Sequence, residues 1–179
     1  MLPMLRFTFG EHYYPNKCHM DALFHLRIDS PVGPLLISGT TTHITAVSFT
    51  DNPEEVFHEA PPLLLECAQQ LFEYFAGDRK SFDLPLSQPG SEFQHRVWDQ
   101  LLKIPYGQTI TYLQLAKRIN NVKSIRAVGT TNGKNAIAII VPCHRVVGAN
   151  GVLTGYAGGL WRKRWLLDHE GGDLFKGMR

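Results

Sequence analysis

The run Ala136-Ile137-Ala138-Ile139-Ile140-Val141-Pro142-Cys143-His144-Arg145-Val146-Val147 joins six apolar residues to a proline, a cysteine with two basic neighbours, and two valines. Its apolar half predicts a buried strand or extended segment, and Pro142 predicts a turn that presents Cys143 between apolar walls. A cysteine attacks only as its thiolate, so a thiol pKa of about 8.5 has to be lowered by a neighbouring base or positive charge. His144 and Arg145 offer both. Side chains adjacent on an extended chain point to opposite faces, so His144 reaches Cys143 only through a turn or a bridging water. A base in that position needs a carboxylate to orient it, and Glu170 is the candidate. Alone, the same pattern also fits a buried structural cysteine.

Upstream of this run the sequence reads as helices. Ser91, with Gln94 three residues later, is a capping box ahead of Phe93, Val97, Trp98, Leu101 and Leu102. Pro105 and Gly107 end that helix. A second helix is expected from Tyr112 to Ile119, entered through Thr109 or Thr111. After Asn120-Asn121, Ser124 is the expected cap of a third, from Ile125 to about Asn132, with Gly133 as its stop. Two short helices at a tight turn fit a helix-turn-helix, and equally a plain helical hairpin. Downstream, Gly148 to Gly159 reads as a functional loop. A last helix, Leu160 to His169, places Leu160, Trp161, Trp165 and Leu166 on one face, with Arg162, Lys163 and Arg164 elsewhere.

The first half has a different texture. Ala22 to Ile28, Pro34 to Ser38 and His43 to Phe49 are short apolar runs divided by turn residues, which predicts an antiparallel meander. Leu63, Leu64, Cys67, Leu71, Phe72 and Phe75 recur at helical spacing, with Gly77 as a stop and Cys67 as inert core. Pro85 and Pro89 mark a link. The expected architecture is α/β: a small N-terminal antiparallel-sheet domain over residues 1–90, with an irregular arm over 1–20, then a mostly helical C-terminal domain over 91–179.

Charge divides at the same place. Residues 1–90 carry 5 Lys/Arg against 11 Asp/Glu, whereas 91–179 carry 13 against 5, so a basic half is joined to an acidic one. That is the distribution expected when only one half meets a polyanion. With 44% hydrophobic and 19% charged residues the chain is globular, not disordered. No stretch reaches the roughly 20 apolar residues of a membrane helix, and no secretion signal is expected. Three cysteines without CxxC spacing argue against a disulfide scaffold and for a reducing compartment.

Ile140-Val141-Pro142-Cys143-His144-Arg145-Val146-Val147 closely resembles the active-site signature of the O6-alkylguanine-DNA alkyltransferases. Further segments are similar to that family in its order: Pro105 to Tyr112, Arg126-Ala127-Val128-Gly129, Gly155 to Gly159, and Leu166 to Glu170, with a looser likeness from Ser30 to Gly39. The resemblance implies direct-reversal DNA repair. An alkyl group passes once, irreversibly, from O6-alkylguanine, and from O4-alkylthymine, to Cys143. His144, a water and Glu170 would relay its proton. Tyr112 would rotate the nucleotide and protonate the departing guanine, and Asn135 would brace the turn before the active-site segment. The backbone of Val146 and Ala157 would bind the flipped base, with Tyr156 as a wall. Arg126 would fill the gap in the stack, while Ala127 and Gly129 let the recognition helix approach the minor groove.

The family reading further implies no cofactor, double-stranded DNA carrying the lesion as partner, no membrane, a monomer, and a place in the prokaryotic cytoplasm or the eukaryotic nucleus. Lys117, Arg118, Lys123 and Lys134 could hold phosphates. Thr130 stands where many relatives have glycine. Ala136 and Ala138 stand where some have prolines, which would widen the pocket towards larger alkyl groups. Cys18, His19 and His25 do not follow the zinc pattern of some relatives, so no metal is expected, nor an appended regulatory domain. The rival readings are a lesion binder without chemistry, a cysteine-sensing regulator, and a cysteine hydrolase that turns over.

Overall fold

The computed structural model describes residues 22–51 and 60–171; the N-terminal arm, Cys18 and His19 lie outside the described residues. Three strands, β1 (Phe24–Ile28), β2 (Leu35–Gly39) and β3 (Ile44–Phe49), form an antiparallel sheet in the order β1-β2-β3. Alternation sets its register: Ile28 faces Leu35, and Ile37 faces Val47, so the apolar members collect on one side. Helix α1 (Pro62–Ala76) covers that side with Leu64, Cys67, Leu71 and Tyr74, and ends at Gly77 in the left-handed conformation. Cys67 is fully buried, and burial pushes its thiol up to about 12, which makes it inert.

The second half packs α2 (Glu92–Leu102), α3 (Tyr112–Arg118) and α4 (Ile125–Gly133), followed after a long loop by α5 (Leu160–His169). The Ser91–Gln94 capping box forms as read, and Thr111, not Thr109, caps α3 through a second box with Gln114. Ser124 makes no side-chain cap, and α4 runs through Gly133 to end at Lys134. Packed α3 and α4 are the expected helix-turn-helix, turning at Asn120 with φ 55°.

Two features join the halves. The backbone of Val47 in β3 donates to the Ala136 carbonyl and accepts from the Ala138 N–H, both at 2.9 Å. Gln88 adds a side-chain acceptor for the Ala136 N–H at 2.9 Å. One continuous apolar core then runs from Ile28 and Leu35 through Leu101 and Leu115 to Ile139 and Leu166. Among the described residues no helix is long and apolar enough to cross a membrane.

Two expectations are corrected. The segment from Ala136 to Val141 is buried but not extended. It is a succession of turns in which Ile140 N–H donates to Ala138 and Val141 N–H to Ile137, with Ile139 at φ 71°. A β-branched residue in that region is strained and persists only because its surroundings impose it. The other correction is α5, whose inner face is Lys163, Leu166 and Leu167, while Leu160 is 47% and Trp161 55% exposed. The helix packs beside a turn rich in free carbonyls, so an ammonium finds acceptors there that an apolar side chain could not use.

Candidate active site

Asn135 builds the turn that carries the cysteine. Its Nδ2 donates to the Val141 carbonyl at 2.9 Å and the Ile137 carbonyl at 3.2 Å, while its Oδ1 accepts from the Ile137 N–H at 3.1 Å. One side chain thus supplies three of the bonds that a strand ladder would have given, beside those from Val47, Gln88 and the turns themselves. Nδ2 also lies 3.2 Å from the sulfur of Cys143. Cys143, His144 and Arg145 form a single 3-10 turn, and Val146-Val147 pair in parallel with Ile110-Thr111 as the two-residue strands β5 and β4. That pairing, too short to leave a periodic signal, sets Tyr112 at the start of α3 close to the cysteine.

The turn aims two buried side chains, and α1 a third, at one carboxylate. Glu170 Oε1 accepts from His144 Nε2 at 2.8 Å, Arg145 Nη2 at 2.9 Å and the Tyr74 hydroxyl at 2.8 Å. Oε2 accepts from Arg145 Nε at 2.9 Å and the Gly107 N–H at 3.1 Å. Gly107 has to be glycine: its φ is 73°, and a Cβ there would stand 2.8 Å from the Glu170 carbonyl oxygen. Burial alone would push the Glu170 carboxyl up, but the bonds from His144 and Arg145 outweigh it and hold the group well below the usual range. The carboxylate is therefore ionised and fixes His144 with its proton on Nε2. Burial, only partly opposed by Glu170, lowers the His144 pKa and keeps the ring neutral, and its Nδ1 is buried without a hydrogen-bond partner among the described residues.

Cys143 is 6% exposed, at the wall of a cavity of about 160 Å³ shared with Asn132, Asn135, Ala136, Ala138, Tyr156 and Ala157. Burial raises its thiol, while the Asn135 hydrogen bond and then the charge of Lys163 pull it back. Lys163 was not foreseen. It is fully buried, with Nζ donating to the carbonyls of Val146 at 2.7 Å and Thr154 at 2.8 Å. Burial lowers its pKa from 10.5 to about 8, and Cys143 is the opposing influence that raises it.

Strand β3 closes the cavity with Val47, Ser48 and Phe49, also unforeseen. Phe49 meets Tyr156 edge-on at 5.9 Å, and a Cβ on Gly158 would lie 2.4 Å from its ring. Arg162 binds the same seam, donating to the carbonyls of Val32 at 2.7 Å and Gly158 at 2.9 Å. The clue available in the sequence was the pair of glycines at 158 and 159, which signals close backbone approach.

The structure thus gathers Cys143, His144, Glu170, Asn135, Tyr156 and Ala157. Tyr112 is half-buried, with its hydroxyl 3.4 Å from the Thr154 carbonyl, which it approaches as donor. Val146 is buried with its carbonyl engaged by Lys163, and does not line the cavity. Arg126 and Ala127 lie on the exposed face of α4, whereas Gly129 is half-buried against the Tyr112 ring. Lys117, Arg118, Lys123 and Lys134 are exposed. His25 Nδ1 hydrogen-bonds Ser38 Oγ at 2.8 Å, and among the described residues no three His, Cys, Asp or Glu cluster as metal ligands.

Two family models match: 6-O-methylguanine DNA methyltransferase, ribonuclease-like domain over residues 23–88, and its DNA binding domain over 92–172. A methylated-DNA–protein-cysteine methyltransferase of Methanosarcina acetivorans is 47% identical, over 83% of this chain and 99% of its own. The constitutive one of Bacillus subtilis is 43% identical, over 82% and 94%. Mycobacterium tuberculosis OGT, solved in complex with DNA, superposes with a TM-score of 0.75 at 46% identity, covering 82% of this chain and 91% of that one.

Proposed function

The chain belongs to the 6-O-methylguanine DNA methyltransferase family and is a DNA-binding repair protein that acts by alkyl transfer, and we propose that Cys143 is its acceptor atom. The single observation that carries this is geometric: Cys143 stands at the wall of a cavity, and the adjacent His144 is buried and hydrogen-bonded to Glu170 at 2.8 Å. His144 Nδ1, unpaired among the described residues, takes the thiol proton through a water. The charge left on the imidazolium is balanced by Glu170.

The thiolate sulfur then bonds to the alkyl carbon, and the carbon–O6 bond breaks with its electron pair passing to guanine. An anionic purine is a poor leaving group, so the Tyr112 hydroxyl donates a proton to it. Tyr112 is placed for this at the start of α3, half-buried, with a hydroxyl that is a donor near neutrality. The product is a thioether that water does not hydrolyse, so each molecule acts once.

Double-stranded DNA carrying O6-alkylguanine, or O4-alkylthymine, is the donor. The target lies inside the base stack and must be flipped out at a cost of roughly a few kcal/mol. The exposed face of α4, with Arg126 and Ala127 and the lysines flanking it, meets the minor groove. Arg126 replaces the lost base, and the Ala157 backbone with Tyr156 receives the flipped one. Ala136 and Ala138 on the cavity wall leave room for alkyl groups larger than methyl. The protein acts as a monomer, in the prokaryotic cytoplasm or the eukaryotic nucleus.

The test is incubation with duplex DNA containing O6-methylguanine, digestion, and weighing of the Cys143 peptide. A gain of one methyl, absent in Cys143→Ser, is expected. Lesion binding without a gain, or repeated turnover, would overturn the reading.

A further inference from the structure

Of the five donors around Glu170, four come from the C-terminal half: His144, Arg145 through two nitrogens, and the Gly107 N–H. The fifth does not. Tyr74 sits on α1, is fully buried, and delivers its hydroxyl to the same oxygen, Oε1, that faces His144. Its own carbonyl accepts from His169 Nε2 at 2.7 Å, one residue before Glu170, and its ring meets the His169 ring edge-on at 5.2 Å. The tyrosine is thus held from two sides, and the hydroxyl has a fixed aim.

We propose that Tyr74 is a positioning residue that tunes the proton affinity of the His144–Glu170 pair, and thereby restrains ionisation of Cys143 from the other half of the chain. The proposal rests on the Cys143–His144–Glu170 relay above. A hydrogen bond to an anion draws charge from the accepting oxygen. Oε1 has three such claims on it, and every one taken by a neighbour weakens its hold on the imidazolium that forms when His144 receives the thiol proton.

Arg145 cannot serve as the adjustable donor, because its loss would strand a buried carboxylate. Tyr74 is neutral, and its hydroxyl is removable while Arg145 and Gly107 keep Glu170 in place. The other groups facing the relay are accounted for. Lys163 and Arg145 are cations that disfavour a charged His144, Tyr106 bears on Glu170 from the turn after α2, Tyr156 bears on both Cys143 and Glu170, and Tyr112 bears on Cys143. None of these is altered by removing one phenolic oxygen. The restraint suits a nucleophile that is used once, since a thiol ionised at all times is open to oxidants and stray electrophiles.

The experiment measures iodoacetamide capture at the Cys143 peptide against pH, by mass, in the full chain. Tyr74→Phe is expected to move the midpoint to lower pH by a few tenths of a unit up to about one unit, which is roughly two- to ten-fold more thiolate below the midpoint. Site-specific 3-fluorotyrosine at 74 is a stronger donor and is expected to move it the other way, so the result does not depend on one variant. Curves that coincide with the parent, or the opposite order of shifts, overturn the proposal. His144→Gln is the control. If that variant keeps the parental midpoint, the relay itself is wrong and the proposal falls with it. If it moves the midpoint and Tyr74→Phe does not, the Tyr74 proposal alone falls.

Discussion

The ammonium of Lys163 lies 2.7 Å from the carbonyl oxygen of Val146, fully buried in the loop that frames Cys143. Among the described residues this buried cation has no carboxylate contact, and beside the thiol proposed as acceptor it is an electrostatic asset to the thiolate. Lys163→Met is expected to raise the midpoint for Cys143 reaction by about one unit and to slow repair roughly ten-fold near neutrality. The same residue shapes stability. Its folded pKa of about 8 lies below the ordinary 10.5, so the unfolded chain binds more protons between those values and stability rises with pH across that window. Below pH 8 the full penalty, up to about 3 kcal/mol, is present. Urea unfolding at pH 7 and 9.5 should show this slope in the parent and not in Lys163→Met.

Folding lowers the Glu170 pKa too, so stability again rises with pH, but here the shift stabilises. Its pKa is depressed on folding, so its contribution is complete above the unfolded value of about 4.3 and disappears as pH falls below it. Glu170→Gln leaves Arg145 buried without its counter-charge, at an expected cost of about 3–5 kcal/mol. Thermal melts between pH 3 and 7 are the check: the variant should be less stable at neutrality and should lose less on acidification.

Asn135 combines two roles that substitution separates. Asn135→Ala leaves the Ile137 N–H without its acceptor and takes one of two donors from each of the Ile137 and Val141 carbonyls, for an expected loss of about 1–3 kcal/mol. Asn135→Asp removes the donor facing the sulfur and places a carboxylate there. Repair by the Asp variant, measured in single turnover at a temperature where both are folded, should be the slower of the two.

Gly158→Ala tests the seam with β3. Its Cβ would meet the Phe49 ring at 2.4 Å, so the loop carrying Tyr156 and Ala157 has to shift. Transfer is expected to slow by ten-fold or more with little change in secondary structure. Phe49→Ala in the same chain should recover most of the rate, which circular dichroism and single-turnover kinetics would reveal.

Much of this site was legible in the chain. Cys143 with His144 and Arg145 is a local cluster, and Glu170 at a helix C-terminus is unfavourable for the dipole and so asks for partners, which it has. Capping boxes at Ser91 and Thr111 are likewise written in adjacent residues. Lys163, Tyr74 and Phe49 were illegible for one shared reason. Their roles come from contacts across long sequence separations, and helical or strand periodicity reports only which face is apolar. Lys163 broke even that rule, since carbonyls from a neighbouring loop accept from its ammonium and offset part of its desolvation. The segment from Ala136 to Val141 misled because an apolar run looks the same whether its backbone is satisfied by a strand ladder or by its own turns, a few bonds to β3 and the side chains of Asn135 and Gln88.

The bonds between Val47 and residues 136 and 138 have a practical corollary. Severing the polypeptide near Gly90 would deprive the catalytic fragment of the rail against which its cysteine-bearing coil is set, and of one side of its cleft. Neither piece should repair DNA on its own, whereas co-expressed they should reassemble, which makes the molecule a natural candidate for a split reporter whose signal is a permanent covalent mark.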